Sequence, residues 1–241
     1  TPQEMRRHIA DYYATITCLD HHVGRILQGL EKSGRLRNTV VLFTSGSESL
    51  PKAVPLSHAN LLANMRDVVA GLELTPADRM IGMLPPFHSF GLNCTMLLPL
   101  CFGLPVAYHP NPTESAMLAR LIDAYGITLL IGTPTFLNGI LRAASPGALR
   151  SLRLAVSGAE KCPDYVYRSL ARVCPDATVL EGYGVTECSP IVSVNDPQAP
   201  RPGTIGKVLP SFQYALQDVD TGQRAAPGRP VGATGSRRST A

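Results

Sequence analysis

The residue types best suited to chemistry lie close together between residues 44 and 58, where the chain reads TSGSESLPKAVPLSH. Small residues in such a loop let backbone N–H groups approach phosphate oxygens, serine hydroxyls add donors, and Lys52 adds a mobile positive charge. The Walker pattern GxxxxGK[ST] is absent from the chain. The composition of the loop therefore favours phosphate binding, with an ordinary Ser/Gly turn as an equal alternative at this point.

The elements around this loop are predicted from hydrophobic patterning. Thr39–Phe43 is a β-branched and aromatic run, which predicts a buried strand, and Leu61–Leu72 has the periodicity of a helix. Either Ser57 or Asn60 could cap that helix. Farther upstream, residues 5–34 predict one long amphipathic helix, because apolar residues recur there at intervals of three and four.

Strands and helices alternate along the rest of the chain, and short motifs follow several of the predicted strands. This alternation predicts βαβ units and a parallel sheet, on which ligands bind at the carboxyl ends of the strands. The predicted strands with a motif after them are Met80–Leu84, Ile127–Ile131, Leu152–Ser157 and Thr178–Leu180. The motifs are Phe87–Gly91, Gly132–Thr135, Ser157–Glu160 and Glu181–Glu187. The other predicted elements are the strand Pro105–Tyr108 and the helices Thr113–Tyr125, Phe136–Ala144 and Asp164–Val173.

Composition narrows the classes of function. The chain has 241 residues, of which 44% are hydrophobic and 17% charged, as in ordinary globular proteins. Its net charge of +4 comes from four arginines within residues 224–241, so the neutral remainder does not favour nucleic-acid binding. No apolar run predicts a membrane span or a signal peptide. The six cysteines lack metal-site spacing and predict reduced thiols in a cytoplasmic protein. The start at Thr1 suggests a fragment.

Two of the motifs carry a family resemblance. EGYGVTE at Glu181–Glu187 resembles the YGxTE motif of the acyl-activating, AMP-forming synthetases, and TSGSESLPK resembles their phosphate loop, [ST]SG[ST][ST]GxPK. The variant SGSE followed by PKAVPLSH is most similar to the acyl-acyl carrier protein synthetases of the 2-acylglycerophosphoethanolamine acyltransferase type. Ser49 stands where the family has its second glycine. The resemblance runs over residues 44–220.

The resemblance implies an α/β fold, namely part of the large domain of an adenylate-forming synthetase, with a mainly parallel sheet flanked by helices. Arg201–Lys207 with Pro210 resembles the entry to the family's small β subdomain, which would start near residues 203–220. Phe212–Val219 alternates apolar and polar residues and predicts a strand there. Residues 221–241 are rich in Pro, Gly, Arg, Ser and Thr and predict a disordered basic tail.

The site residues follow from the same resemblance. Lys52, Thr186 and Glu187 are implied to be catalytic, with Thr186 bonding the α-phosphate and Glu187 holding Mg²⁺. Tyr183 is implied to stack on the adenine. The nucleotide-binding set comprises Thr44, Ser45, Gly46, Ser47, Lys52, Gly158, Ala159, Glu160, Gly182, Tyr183, Gly184 and Thr186.

The implied reaction is activation of a carboxylate by ATP with Mg²⁺. A fatty acid would form an acyl-adenylate, and the acyl group would then pass to the thiol of acyl carrier protein or of coenzyme A. His88 and Gly132 are expected to line the substrate pocket. The localisation is expected to be cytoplasmic, with association of the parent protein with the inner membrane left open.

Several parts of the family pattern have no match in this chain. The ribose-binding [ST]GD motif, the C-terminal domain with its catalytic lysine, and the sequence that normally precedes the phosphate loop are missing. The expectation is therefore a partial nucleotide-binding core with weak or no turnover. The alternatives are a nucleotide-binding module without catalysis and a fusion product without function.

A second resemblance covers the beginning of the chain. The sequence from Arg6 through TVVLFTS is similar to the late helix and strand of type I sulfatases. Gly46 stands where that family has a metal-binding aspartate, and the sulfatase motif CxPxR is absent. Sulfatase chemistry therefore transfers to no residue, and residues 1–43 are expected to be a fused sulfatase-like piece.

Overall fold

A computed structural model describes residue 21 and residues 23–43, 52–217 and 222–224. The chain divides into two compact units, residues 1–62 and 63–241. Within the described residues no helix is both long and apolar enough to cross a membrane.

The first unit begins with a helix, α1, that covers residues 23–32 of its described part. The helix ends at Gly34, which takes the left-handed conformation at φ +71°. The Gly34 N–H donates to the carbonyl oxygen of Glu31, and the Arg35 N–H donates to that of Leu30, both at 2.9 Å. These two bonds form a Schellman cap, in which glycine accepts the left-handed backbone without strain. The beginning of the predicted helix lies outside the described residues.

A two-stranded antiparallel sheet follows α1. After a 3₁₀ turn at Leu36–Asn38, β1 (Thr39–Phe43) pairs with β2 (Ala53–Ser57). The sequence predicted β1 with these bounds, but as a buried strand, and its residues 39–42 are only half-buried. The strand β2 was missed because Pro55 interrupts the run; proline is tolerated there because β2 has an unpaired edge among the described residues.

Ser57 caps the helix α2 (His58–Gly71), which begins three residues before the predicted start at Leu61 and ends one residue before the predicted end at Leu72. The Asn60 N–H donates to Ser57 Oγ at 3.1 Å, and the Ser57 N–H donates to Asn60 Oδ1 at 3.1 Å. The two candidate caps therefore act together, as a reciprocal capping box.

The second unit is built on a seven-stranded sheet with the order β4-β3-β5-β6-β7-β8-β9. The strands β4, β3, β5, β6 and β7 are parallel, and β8 and β9 continue the sheet in antiparallel pairing. Their bounds are β3 (Met80–Gly82), β4 (Val106–Tyr108), β5 (Leu129–Gly132), β6 (Leu154–Ser157), β7 (Thr178–Gly184), β8 (Ile191–Val194) and β9 (Lys207–Val208).

Helices connect the parallel strands. A π-helix (Gly91–Leu97) continues into α3 (Leu98–Phe102), and α4 (Ser115–Tyr125), α5 (Pro134–Ala143) and α6 (Asp164–Val173) follow, with a 3₁₀ turn at Thr186–Cys188. Apolar residues of α4, α5 and α6 form one buried cluster with those of the strands. Thr133 caps α5 by accepting from the Phe136 N–H, and proline at the first helical position suits that start. The fold is therefore α/β, with a largely parallel sheet flanked by helices, as predicted.

Asp78 holds the edge of the sheet at which the parallel strands begin. Its side chain accepts from the Thr75 N–H at 2.8 Å, from Thr128 Oγ1 at 2.7 Å and from Arg153 Nη2 at 2.9 Å. Thr128 precedes β5 and Arg153 precedes β6, so one carboxylate ties the starts of neighbouring strands together. Burial by itself would raise the pKa of Asp78, but the hydrogen bonds from Arg153, Thr75 and Thr128 outweigh it and lower that pKa.

Two predictions about the C-terminal part were wrong. β7 runs to Gly184 instead of ending at residue 180, so the first residues of the YGxTE-like motif lie in a strand. Residues 212–216 form no strand, and Gln217 makes only an isolated bridge with Arg224, because no described strand is available as a partner for this segment. The same bridge pairs Gln217 with Arg224, and the expected disordered tail at residues 221–241 stays a prediction, because residue 221 and the residues from 225 on lie outside the described part.

Candidate functional site

The candidate site lies at the carboxyl edge of the parallel sheet, where the predicted motifs converge. β5 ends at Gly132 and β6 ends at Ser157. The Gly158 N–H donates to the Gly132 carbonyl oxygen at 3.1 Å, so the two glycines are neighbours on adjacent strands. Gly132 is buried, and a Cβ there would come within 2.8 Å of Met83 Cε. Gly132 can therefore contribute to a pocket through its backbone only.

The loop that carries His88 packs onto the end of β6 through its neighbour Phe90. A Cβ on Gly158 would lie 3.0 Å from Phe90 Cζ, so the phenyl ring occupies the space above this glycine. The His88 side chain is exposed, and its Nδ1 accepts from the Phe90 N–H at 3.2 Å. The neutral ring therefore carries its proton on Nε2, which leaves an N–H donor at the edge of the site.

Gly91 fixes where the π-helix begins. A Cβ at this position would collide with the carbonyl oxygen of Pro85, so only glycine permits the close approach of the two segments. Within the π-helix, Thr95 Oγ1 donates to the Gly91 carbonyl oxygen at 2.8 Å. The wide π turn is thus supported by a side-chain bond, directly after the loop that contains His88.

A hydrogen bond joins this loop to the YGVTE segment. Ser89 Oγ lies 2.9 Å from Thr186 Oγ1, and the Ser89 residue is only 7% exposed. Thr186 begins the 3₁₀ turn that follows β7. The bond restricts the Thr186 hydroxyl to a small set of orientations. Two motifs that are 97 residues apart in sequence therefore meet at one point.

The YGVTE segment itself turns by means of an irregularity in β7. Tyr183 is half-buried and pairs with Ser193 of β8, and the register shifts between Tyr183 and Gly184. A Cβ on Gly184 would collide with the carbonyl oxygen of Pro190, which explains the glycine. The bulge bends the strand and directs the residues after it away from the sheet.

The turn after β6 has an unusual backbone conformation. Ala159 is left-handed at φ +68°, and both Ala159 and Glu160 are exposed. A left-handed alanine costs roughly 1 kcal/mol relative to glycine, and such strain often occurs where a backbone must approach a ligand. An exposed alanine at this position leaves room for the approach of a flat group such as a nucleobase.

Glu181 is a buried site residue to which the sequence reasoning assigned no role. It is 7% exposed in β7 and accepts hydrogen bonds from the Cys162 N–H, the Gly203 N–H and the Tyr167 hydroxyl. Burial of Tyr167, its hydrogen bond to Glu181 and the charge of the Glu181 carboxylate together raise the pKa of Tyr167 above its ordinary value. A charged residue that directly follows the apolar pair Val179 and Leu180 in a predicted strand was the available signal.

The remaining predicted site residues either lie outside the described part of the chain or are exposed. Thr44, Ser45, Gly46 and Ser47 lie outside the described residues, and Lys52 is exposed just before β2 in the first unit. Glu187 is exposed in the 3₁₀ turn beside Thr186. The described residues contain no cluster of three or more His, Cys, Asp or Glu side chains that could hold a metal. A magnesium ion at Glu187 would thus depend on phosphate oxygens and water, which is the coordination that Mg²⁺ prefers.

Two family profiles and several curated proteins match parts of this chain. The profile of the AMP-binding enzyme family matches residues 32–235, and that of the sulfatase family matches residues 1–52. A long-chain-fatty-acid–CoA ligase of Bacillus subtilis is 32% identical over 78% of this chain and 34% of its own length. A p-hydroxybenzoic acid–AMP ligase of Mycobacterium marinum is 30% identical over 77% of this chain and 26% of its own length.

Solved structures include a similar fold with bound nucleotide. ATP-bound MatB of Rhodopseudomonas palustris superimposes with a TM-score of 0.70 at 29% identity, over 78% of this chain and 37% of that protein. The chain thus spans about a third of the length of the curated relatives it matches.

Proposed function

Because this chain belongs to the AMP-binding enzyme family, we propose that it forms the nucleotide-binding part of a ligase that activates a carboxylic acid with ATP. The observation that carries the proposal is the convergence of three motif loops at the carboxyl edge of the sheet. The Ser89–Thr186 hydrogen bond joins two of these loops, and the packing of Phe90 on Gly158 joins the third.

In the proposed site, ATP lies across the ends of β6 and β7. The adenine rests along the turn Gly158–Glu160, of which Ala159 and Glu160 are exposed, and the Tyr183 ring stacks on its face. Thr186 donates its hydroxyl proton to the α-phosphate while its oxygen accepts from Ser89. The family motif assigns phosphate contacts to Lys52 and to the residues of the TSGS loop.

The chemistry of the proposed reaction needs mainly positioning and neutralisation of charge. A carboxylate oxygen attacks the α-phosphorus, the bond to the pyrophosphate oxygen breaks, and an acyl-adenylate forms. A thiol then attacks the acyl carbon, AMP leaves, and the thiol proton passes to solvent. A magnesium ion, when bound, would neutralise phosphate charge, and Glu187 is the carboxylate that the family motif assigns to hold it.

The proposed acid is a fatty acid, since relatives with this sequence pattern are named as long-chain-fatty-acid–CoA ligases. His88 borders the acyl group and the backbone of Gly132 forms part of the same pocket. The acceptor thiol belongs to coenzyme A or to acyl carrier protein, and the SGSE variant of the loop favours the carrier protein. ATP and such a thiol as substrates favour the cytoplasm.

The beginning of the chain has a different proposed origin. The sulfatase and AMP-binding profiles overlap over residues 32–52, which contain β1. We propose that a sulfatase-like piece, residues 1–43, is joined to a synthetase core, residues 44–220, within this strand that both families share. Sequencing of the source DNA across codons 40–50 tests this join. A source gene that runs through these codons without a join would contradict the proposal.

Calorimetric titration of Mg·ATP into the purified chain tests the function. We expect the chain to bind, and we expect Thr186→Val, Lys52→Ala and Glu187→Ala each to weaken binding about tenfold, as loss of a phosphate or metal contact does. Asp123→Asn, on the exposed part of α4 near the opposite edge of the sheet, is the matched control and should bind like the unchanged chain.

Two outcomes of this titration would count against the proposal. A folded chain that gives no binding signal would contradict it, and so would equal binding by all the variants. If binding is found, pyrophosphate release with fatty acids, followed by acyl transfer to coenzyme A or to acyl carrier protein, identifies the acceptor. Binding without any release of pyrophosphate would favour a nucleotide-binding module that does not turn over.

A further inference from the structure

The buried carboxylate of Glu181 joins segments that are far apart in the chain. Its Oε2 accepts from the Cys162 N–H at 3.2 Å, and its Oε1 accepts from the Gly203 N–H at 2.6 Å and from the Tyr167 hydroxyl. Cys162 lies just after the Gly158–Glu160 turn, and Tyr167 lies on α6. A single side chain thus holds the turn after β6, the next helix and the loop around residue 203.

The backbone of Glu181 is also hydrogen-bonded to a distant segment. Its carbonyl oxygen accepts from the Asn195 N–H at 2.9 Å and from Asn195 Nδ2 at 3.4 Å. The Asn195 side chain in turn accepts from the Arg201 N–H at 2.9 Å and donates to the Thr204 carbonyl oxygen at 2.7 Å. The loop that contains Gly203 is therefore anchored to both the backbone and the side chain of Glu181.

Burial of a carboxylate is a costly way to fill space in a strand. An apolar side chain of similar volume would stabilise β7 as well or better, because removing a charge from water is unfavourable even when it is hydrogen-bonded. The donors to Glu181 are neutral N–H and O–H groups, so attraction to a cation does not explain the charge. What the carboxylate supplies, and an apolar residue cannot, is a fixed distance between the segments it bonds.

The turn after β6 and the strand β7 form the two sides of the proposed adenine position. Ser157 and Glu181 are register partners in β6 and β7, and a Cβ on Gly158 would lie 3.7 Å from the Gly182 carbonyl oxygen. The exposed turn after β6 is therefore adjacent to Tyr183, the proposed stacking residue. Any movement of the turn relative to β7 would change the width of the space between them.

We propose that Glu181 is a positioning residue, which sets the width of the adenine site by holding the Gly158–Cys162 turn and the Gly203 loop against β7. The inference rests on the proposed function, because it takes the space between the turn after β6 and Tyr183 to be a nucleotide site. Glu181 itself touches no substrate atom and acts through the turn after β6 and through Tyr183.

The test compares two variants that each lose a buried carboxylate. Glu181→Ala removes the link at the site, and Asp78→Ala removes a carboxylate at the opposite edge of the sheet. We expect both to lower the melting temperature, and we expect only Glu181→Ala to weaken Mg·ATP binding, by about tenfold, as displacement of a supporting shell does. Hydrogen exchange of the Cys162 and Gly203 amides should become faster in Glu181→Ala than the loss of global stability accounts for, and in Asp78→Ala it should follow the loss of global stability alone.

A milder variant keeps the test decisive if Glu181→Ala does not fold. Tyr167→Phe removes one donor and leaves both N–H bonds, so we expect a loss of Mg·ATP affinity of about two- to threefold, with the fold intact. Unchanged Mg·ATP affinity in Glu181→Ala, or in Tyr167→Phe when that is the folded variant, would overturn the inference. Equal weakening in Glu181→Ala and Asp78→Ala would also overturn it, because the carboxylate would then act on stability alone.

The proposed function and this inference fail in distinguishable ways. If the unchanged chain does not bind Mg·ATP, the proposed function fails, and the role of Glu181 in a nucleotide site fails with it. If the unchanged chain binds and Glu181→Ala binds equally well, only the inference fails.

Discussion

Removal of the Asp78 carboxylate gives the most direct measure of what holds the parallel strands together. In Asp78→Ala, the Thr75 N–H, the Thr128 hydroxyl and the Arg153 guanidinium all lose their acceptor. Loss of one partner from a fully buried ion pair costs about 3–5 kcal/mol. The Asp78 side chain is 5% exposed but that of Arg153 is 38% exposed, so water can solvate the guanidinium again. We therefore expect the lower end, about 3 kcal/mol.

That free energy converts to a clear thermal shift. For a unit of this size, each 1 kcal/mol lowers the melting temperature by about 2–4 °C, so Asp78→Ala should melt about 6–12 °C below the unchanged chain. Circular dichroism melts and urea unfolding measure the difference. Asp123→Asn, an exposed carboxylate on α4, is the control and should stay within about 0.5 kcal/mol.

The dependence on pH gives an independent check of the same reasoning. The hydrogen-bonded Asp78 has a lowered pKa in the folded chain, so its contribution is complete above the ordinary value of about 3.9 and is lost as the pH falls through the folded pKa. The stability difference between the unchanged chain and Asp78→Asn should therefore be constant near neutral pH and narrow below about pH 4. The reasoning would be refuted if the free energies of unfolding of the unchanged chain and Asp78→Asn differed by less than about 1 kcal/mol at pH 7, or if their difference did not become smaller in acid.

Two further predictions concern the site and the cysteines. Gly184→Ala should destabilise the chain by more than about 2 kcal/mol and weaken Mg·ATP binding, because its Cβ would collide with the Pro190 carbonyl oxygen. Gly182→Ala should destabilise the chain less, because its Cβ would lie 3.3 Å from the nearest atom. Urea unfolding of both variants measures the two losses of stability, and equal losses would contradict the prediction. Burial raises the pKa of Cys94 to about 12, so mass spectrometry after brief alkylation at pH 8 should find the exposed Cys101 labelled long before Cys94, and equal labelling would contradict the burial.

The parallel part of the sheet could be predicted from sequence for a simple physical reason. Strands buried on both faces are short apolar runs, and those of β5 and β6 end at small residues, Gly132 and Ser157, where the chain leaves the sheet. The bounds of α6 were predicted without error, because its apolar residues follow the helical period and Pro163 stands before its start.

The antiparallel part could not be predicted in the same way. β8 is short and contains Ser193, whose hydroxyl is satisfied only because it donates to the distant Ile205 carbonyl oxygen at 2.7 Å. β9 has two residues and exists through its pairing with β8. In contrast, residues 212–219 have a strand-like alternation in sequence, but no described strand pairs with residues 212–216, and Gln217 makes only an isolated bridge. Pairing partners, which the local sequence does not reveal, decided these segments.

The candidate site shows the same division. Its motifs could be located, because ligands of parallel sheets lie where the strands end. The contact between Ser89 and Thr186 and the burial of Glu181 could not be foreseen, since both depend on how distant segments pack. The extension of β7 to Gly184 has the same origin, because its second half is held by β8, which local patterning did not reveal.

The change of direction within β7 has a consequence for how the site is assembled. The first half of β7 pairs with β6 after a crossover through α6, whereas its second half pairs with β8 across a short turn that contains Thr186 and Glu187. Closing a short loop loses less chain entropy than closing a long crossover, so the β7–β8 hairpin can form early and locally during folding. The proposed catalytic turn would then be in place before the sheet that supplies the rest of the site.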